Sequence, residues 1–350
     1  MNFKRIIFYI FSIFFLLSVS TLALCLISER AAYLLNFSIA LYVRRLFAAV
    51  FSLLDFSLFE ILVLASPVLI FFALLYINRA KRGSEVRGRF LLLMSILSIL
   101  PSSYVFMIAI PNISNSPLSM PVDTLEPRDF VCVAEILASE VNELSLDEAE
   151  SVTYEFLRDE LSKSYSIALS EQDILSIPLP KPKSVCFSKA LSYVGALAFY
   201  SPPTGEVNIN TEIPAYMIPF TVAHEYAHYL GIGGEANANI TAFIACEGVC
   251  DSRVRYSSNL TMLEYVLSDL YNIDREMYTK IYNSLELPVK NDIKEHSDYT
   301  KRYESLGIIR CFDGLNSLHG KAWNPSGESS YSLTGRMLVA YFKNNQKHSV

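Results

Sequence analysis

Residues 221–235 read TVAHEYAHYLGIGGE. Side chains four positions apart lie on the same face of an α-helix, so His224 and His228 can face one metal ion together. Glu225 then lies beside them, within reach of a water molecule on that ion. The His-Glu-x-x-His spacing predicts a helix here and is typical of zinc peptidases.

A catalytic zinc ion takes three protein ligands and leaves one position open to water. The third-ligand candidate is Glu235, seven residues after His228. Gly231 can end the helix, while Gly233 and Gly234 allow the chain to turn tightly back toward the metal. The alternative for Glu235 is an ordinary solvent-exposed acid in the first turn of the next helix.

Two further roles need polar side chains. Asn239, four residues after Glu235, is expected to accept the second ring N–H of a ligand histidine and so orient it. The negative charge that develops on a substrate carbonyl needs a donor. Tyr331, His296 and His319 are the candidates, although the two histidines are more typical of ordinary polar residues.

The expected reaction is hydrolysis of a peptide bond. Zinc lowers the pKa of its water toward neutrality, and Glu225 takes the proton and returns it to the leaving amine. A strand-like run at residues 205–210 precedes the metal helix, and we expect it to be an edge strand that pairs with an extended substrate. The predicted substrate-binding residues are Val207, Asn208, Ile209 and Asn210. The alternative is a hairpin that only covers the core.

The composition separates the chain into two parts. It is 52% hydrophobic and 18% charged, which is too apolar for an ordinary soluble domain, and residues 1–110 carry the excess. We predict a membrane anchor there, with about three transmembrane helices at 6–27, 61–77 and 90–110. Residues 31–58 are predicted to be an interfacial segment because charged residues interrupt them, and a fourth span is the alternative.

The orientation follows from one basic loop. Residues 78–89 contain five Lys or Arg residues, which predicts that this loop and the N-terminus are cytoplasmic. The chain is then a multi-pass protein of the cell membrane, with the lipid bilayer as one partner and its C-terminal domain outside the cytoplasm. A peptide or protein substrate would be met there. The net charge of −6 and the lack of a basic block after residue 110 argue against nucleic acid as a partner.

The residue patterns in the rest of the chain predict a mostly α fold with a small β element. Residues 111–125 carry three prolines, which predicts a linker. Residues 126–350 then form one extracytoplasmic domain of the α+β class, which we expect to be a helical, zincin-like metallopeptidase domain.

Several stretches resemble the motifs of a known bacterial family. They are Tyr200–Asn210, Pro219–His228, Glu235–Asn237, Arg255–Ser257 and Asp313–Phe342. Together with the apolar N-terminus they are similar to membrane proteins of domain of unknown function 3810, over most of the chain. That family is regarded as metallopeptidase-like, so the resemblance implies His224 and His228 as zinc ligands, Glu225 as general base and Glu235 as third ligand. The turn before Glu235 also resembles that of metzincin peptidases, with Gly234 where their third histidine stands.

Two other hypotheses about the function are compatible with the sequence. The apolar stretch 212–233 and the Asp313-Gly314 pair would suit an intramembrane metalloprotease, although Pro214 and Pro219 interrupt that stretch. A zinc-binding membrane scaffold without catalysis would carry the same ligand residues, because an intact motif does not by itself prove turnover.

Overall fold

The computed structural model of the protein describes residues 3–114, 116–118, 122, 125–145, 152–170, 178–304 and 330–347. It is mostly helical with a small sheet, as the sequence predicts. The N-terminal helices are α1 Phe3–Ile27, α2 Glu29–Leu35, α3 Leu41–Phe51, α4 Leu58–Asn78, α5 Gly83–Leu97, α6 Ile99–Tyr104 and α7 Ile110–Ile113. The later helices are α8 Pro127–Leu144, α9 Tyr154–Ala168, α10 Ser188–Tyr193, α11 Ile218–Leu230, α12 Glu235–Glu247, α13 Ser252–Ile273, α14 Arg275–Ser284, α15 Leu287–Glu304 and the C-terminal helix Ser330–Lys347.

Four helical segments in the described part of the chain are long and apolar enough to cross a membrane, which supports membrane association. They are Phe3–Ile27, Glu29–Phe51, Leu58–Asn78 and Gly83–Ile113. Short π-helical turns join α2 to α3 and α6 to α7, so the second and fourth segments are continuous rods. The predicted segments 6–27, 61–77 and 90–110 lie within three of them. The rod Glu29–Phe51 covers most of the predicted interfacial segment 31–58.

The ends of these helices fall into two groups. Hydrogen bonds join Lys4 to the Tyr76 hydroxyl and Arg89 to the Tyr76 carbonyl, which brings the start of α1, the end of α4 and the start of α5 together. We call this the basic end. A hydrogen bond between Ser18 and Ser102 shows that α1 and the rod Gly83–Ile113 run side by side. Ile27, Leu58 and Ile113 therefore lie at the opposite end, which we call the domain end.

The rod Glu29–Phe51 starts and finishes at the domain end, because it connects α1 to α4. One of its faces is apolar and exposed, with Leu34, Ile39, Tyr42, Leu46 and Val50. The other face buries Asn36 and Arg44 completely. The Arg44 guanidinium donates to the Asn36 carbonyl at 2.9 Å and to the Phe106 carbonyl at 3.0 Å. This two-faced pattern is typical of an interfacial helix.

The small sheet corrects one prediction. Its strands are β1 Lys183–Ser184, β2 Ala198–Ser201 and β3 Glu206–Ile209, in the order β1-β3-β2 among the described residues. β3 is antiparallel to β2 and parallel to β1, so it is the middle strand, and the prediction that residues 205–210 form an edge strand was wrong. The reason is β1, whose two residues are too few to show a strand periodicity in the sequence.

A buried ion pair attaches this sheet to the domain end of the N-terminal apolar helices. Lys183 Nζ and a Glu206 carboxylate oxygen are 2.5 Å apart, and both side chains are 2% exposed. Glu206 also accepts the backbone N–H groups of the first two residues of α4, each at 3.0 Å. Lys183 donates to the carbonyl oxygens of Phe51 and Phe56. The sheet therefore caps the N-terminus of α4, and this buried polar contact joins the sheet to the N-terminal apolar helices.

The core of the domain forms around α11. This helix packs against β2 and β3 on one side and against α12 and α13 on the other. Ala223 and Ala227 are fully buried and let neighbouring backbones approach closely, while the Tyr226 and Tyr229 rings fill the space beside them. The C-terminal helix covers α12 and α13, and α8 lies along α13. Helix α11 is thus held on several sides, which fixes the direction of its polar side chains.

Candidate metal centre

The end of α11 is determined by a glycine. Gly231 adopts φ 95°, in the left-handed region that favours glycine, and its N–H donates to the carbonyls of the last helical turn. The N–H of Ile232 reaches the Ala227 carbonyl at 2.9 Å. Gly234 has φ 76° and precedes α12, whose first residue is Glu235. The chain therefore reverses within four residues and returns Glu235 to the histidine face of α11.

The structure brings the three predicted ligand residues together. The Nε2 atoms of His224 and His228 are 3.1 Å apart. Glu235 Oε2 lies 3.2 Å from His224 Nε2, and Oε1 lies 3.7 Å from His228 Nε2. A tetrahedral zinc ion with bonds of about 2.1 Å separates its ligand atoms by about 3.4 Å. The spacing and the nitrogen and oxygen donors of these residues therefore fit such an ion.

The other ring nitrogen of each histidine is already engaged. His224 Nδ1 lies 2.7 Å from Asn239 Oδ1, and His228 Nδ1 lies 3.0 Å from the Ile232 carbonyl. Both partners are acceptors, so each Nδ1 carries the hydrogen and each Nε2 of a neutral ring directs its lone pair toward the other. Two lone pairs and a carboxylate at this separation repel one another unless a proton or a cation lies between them. The arrangement thus favours binding of a cation.

Asn239 lies where its spacing predicted, and two further residues orient it. Its amide nitrogen donates to the Thr334 hydroxyl at 3.1 Å and to the Tyr265 hydroxyl at 3.3 Å. These donor bonds leave the amide oxygen directed at His224. Sequence reasoning missed both partners because they come from α13 and the C-terminal helix, far along the chain.

The charges of the cluster are strongly coupled. Burial raises the pKa of Glu225, and the nearby His224 and His228 offset part of this rise. Burial disfavours the protonated form of His228, but hydrogen bonding to Glu235 and its charge outweigh that effect and raise the pKa to about 9. The two histidines hold the pKa of Glu235 below its usual range against the effect of burial. The Glu235 side chain is 60% exposed, so water screens part of this coupling.

Glu225 lies on the side of α11 that faces the sheet. It is only 6% exposed, and a hydrogen bond from the backbone of Tyr200, on β2, helps to stabilise its charged form. A buried carboxylate with a raised pKa beside a candidate cation site could exchange a proton with a molecule bound there.

The predicted substrate-binding residues are not available to a substrate. Val207, Asn208, Ile209 and Asn210 are fully buried. The Asn210 carboxamide is used internally, with bonds to Ser192, the Ala196 carbonyl and Tyr299.

The structure describes the side chain of one of the three residues predicted as donors to the negative charge on a substrate carbonyl. His296 pairs with Glu264 at 3.0 Å on α15 and α13, so the structure does not bring it to the three ligands. His319 and the side chain of Tyr331 lie outside the described residues. Tyr331 therefore stays a prediction.

Two asparagines of the N-terminal apolar helices contact the turn before Glu235. Asn36 Nδ2 donates to the Gly231 carbonyl at 2.7 Å. Asn112 Oδ1 accepts the Gly234 N–H at 3.0 Å. Asn112 lies in the last turn of α7, although residues 111–125 were predicted to be a linker. The sequence carried one signal for Asn36, which is a polar amide within the largely apolar residues 31–43.

Comparison with known proteins gives one match. A family model described as "Protein of unknown function (DUF3810)" matches residues 37–339, which include His224, Glu225, His228 and Glu235. No curated protein and no solved structure matches the chain. Because the family model covers most of its length, the chain belongs to the DUF3810 family of proteins of unknown function.

Proposed function

We propose that the protein is a membrane-anchored, zinc-dependent metallopeptidase. The observation that carries this proposal is the spacing of the donor atoms of His224, His228 and Glu235. The two Nε2 atoms are 3.1 Å apart, and each lies 3.2–3.7 Å from one of the two Glu235 carboxylate oxygens. Both histidines also have Nδ1 engaged with an acceptor, as is usual for zinc ligands. When bound there, zinc would lower the pKa of a water molecule and polarise a substrate carbonyl.

Glu225 would act as the general base and then the general acid. Its burial raises its pKa, which suits a group that must accept a proton from water and donate it to the leaving amine near neutral pH. The hydrogen bond from Tyr200 would hold the carboxylate beside the metal-binding face of α11.

The outer edge of β2 is the better candidate for substrate binding. Among the described residues, β2 pairs with a strand on one side only. The Leu197 carbonyl accepts from the Asn210 N–H, so backbone groups of alternate residues point toward β3, and those of Ala198 and Tyr200 point away from it. The Tyr200 N–H is already used by Glu225, which leaves the Ala198 N–H and the carbonyls of Ala198 and Tyr200 for a substrate. An extended peptide could pair with this edge next to Glu225.

The proposed topology puts the centre outside the cytoplasm. Helix α4 has 21 residues, about 31 Å at 1.5 Å per residue, which matches the hydrocarbon thickness. The basic loop follows its last residue, and the sheet binds its first residues. If the basic end is cytoplasmic, the zinc site lies at the outer surface of the membrane.

The structure argues against the intramembrane alternative. Helix α11 has 13 residues, about 20 Å long, and cannot cross a hydrocarbon core of about 30 Å. It is also enclosed by β2, β3, α12 and α13 rather than by membrane helices alone.

Substitution of the general base tests the proposal. We expect the purified full chain in detergent to bind about one zinc ion and to cleave members of a mixed peptide library, measured by mass spectrometry. Glu225→Gln should keep the zinc and lose the cleavage. The matched control is Glu212→Gln, which makes the same change at a partly exposed glutamate that accepts a hydrogen bond from Tyr303.

The possible results separate the remaining functions. Zinc binding without cleavage by the wild-type protein would favour a zinc-binding scaffold. Equal cleavage by the wild-type and Glu225→Gln proteins would refute the assigned mechanism. The topology has its own test, since Cys132 and Cys250 are exposed in the domain. A membrane-impermeant maleimide should label both in intact cells, and labelling only after permeabilisation would reverse the orientation.

A further inference from the structure

The turn between His228 and Glu235 needs external support to deliver the third ligand. Its glycines allow the reversal, but glycine also leaves a chain many alternative conformations. Every alternative in which Glu235 points elsewhere lowers the population that can bind a metal, and the apparent affinity falls with it. The position of Gly234 and Glu235 is therefore a determinant of affinity.

The support comes from the domain end of the membrane helices. Asn36 holds the first residue of the turn through the Gly231 carbonyl, and its amide nitrogen also donates to Ser114 at 2.8 Å. Asn112 holds the last residue through the Gly234 N–H. Its own amide nitrogen donates to the Ile108 carbonyl at 2.9 Å, which fixes the direction of the accepting oxygen.

The fit of the turn against these helices is tight. A Cβ at Gly231 would lie 2.7 Å from Asn36 Oδ1, and one at Gly233 would overlap the Pro111 carbonyl and the Asn112 backbone nitrogen. The glycines are thus required for close approach to the membrane helices as well as for the turn itself. Asn36 is fully buried, and so is Arg44, which donates to its carbonyl.

We propose that Asn112, together with Asn36, is a positioning residue of the metal centre. The membrane helices are then a structural part of the zinc site, in addition to anchoring the domain. This inference rests on the proposed function, because it assumes that His224, His228 and Glu235 bind zinc. It goes further by assigning the placement of Glu235 to the membrane part.

The test compares zinc affinities of the full chain in detergent, measured by competition with a chromophoric chelator. Asn112→Leu removes the acceptor for the Gly234 N–H, and we expect zinc to bind about 10- to 100-fold more weakly, as for the loss of groups that orient ligands. Asn112→Asp keeps an acceptor oxygen and should restore the affinity. Asn142→Leu is the matched control, because Asn142 accepts the Glu286 N–H at 2.9 Å in another part of the domain.

Cobalt(II) gives a second readout that a general loss of stability would not reproduce. We expect the wild-type and Asn112→Asp proteins to show the intense visible absorption of four-coordinate cobalt, and Asn112→Leu to lose it at saturating metal. Unchanged affinity and absorption in Asn112→Leu would overturn the inference, as would equal losses in both Asn112 variants. If the wild-type protein itself bound no zinc, the proposed function would fail as well, so the two failures are distinguishable.

Discussion

Breaking the buried ion pair between Lys183 and Glu206 should lower the free energy of unfolding by an amount that follows from its contacts. Glu206 accepts three hydrogen bonds, one from Lys183 and two from the first residues of α4. Glu206→Leu leaves the Lys183 ammonium buried, with only the carbonyl oxygens of Phe51 and Phe56 as described partners. Breaking a buried pair in this way costs about 3–5 kcal/mol.

The double variant Lys183→Met/Glu206→Leu should be less harmful than Glu206→Leu alone. It removes the unpaired charge and replaces the pair with apolar side chains of similar size. What remains is the loss of acceptors for two N–H groups of α4, at about 1 kcal/mol each. We therefore expect a loss of about 2 kcal/mol for the double variant, which is 1–3 kcal/mol smaller than for Glu206→Leu.

Thermal unfolding followed by circular dichroism measures the difference. For a chain of this size, 1 kcal/mol corresponds to roughly 2 °C. Glu206→Leu should lower the Tm by about 6–10 °C and the double variant by about 4 °C, at one scan rate and in one detergent. The single variant Lys183→Met completes the comparison. If its loss and that of Glu206→Leu simply added in the double variant, the two side chains would be energetically independent, and the reasoning about a coupled attachment site would be refuted.

Three further predictions concern the metal centre. Asn239→Ala should weaken zinc binding about 10- to 100-fold in the chelator competition, because His224 loses its acceptor, and an unchanged affinity would contradict that role. In metal-free protein the pKa of His228 is raised from 6.5 to about 9 by folding, so its protonation stabilises the fold fully below pH 6.5 and this contribution is lost as pH rises to 9. The Tm of chelator-treated protein should therefore fall between pH 6.5 and 9, and the Tm of a His228→Ala control should lack this part of the fall. Gly233→Ala should cost about 1–3 kcal/mol through overlap with α7, whereas Gly88→Ala, where a Cβ meets no described atom within 4 Å, should be neutral or stabilising.

Local spacing explains which parts of the centre could be predicted from the sequence. His224, Glu225 and His228 follow the period of one helix, and Asn239 follows Glu235 by one turn of the next. Glycine chemistry predicts the turn between the helices, because left-handed residues are needed there. Each of these inferences spans only a few residues, so no tertiary contact has to be known.

The parts that could not be predicted depend on contacts between distant segments. Asn36 bonds to Gly231, 195 positions later in the chain, and no pattern near either residue indicates that they meet. The strand order failed for a related reason: β1 is two residues long, yet it pairs with β3 and moves it from the edge to the middle. A pairing of that length changes the topology without changing any local periodicity.

The same long-range bond has a consequence for biogenesis. The turn between His228 and Glu235 can reach its final position only after the chain beyond residue 231 has been synthesised and has returned to helices that were made much earlier. Contacts of such large sequence separation form slowly, since a long loop must close first. If the domain is exported as we propose, zinc would be acquired after export, so the metal supply outside the cytoplasm, rather than the cytoplasmic pool, would determine which ion the nascent protein receives.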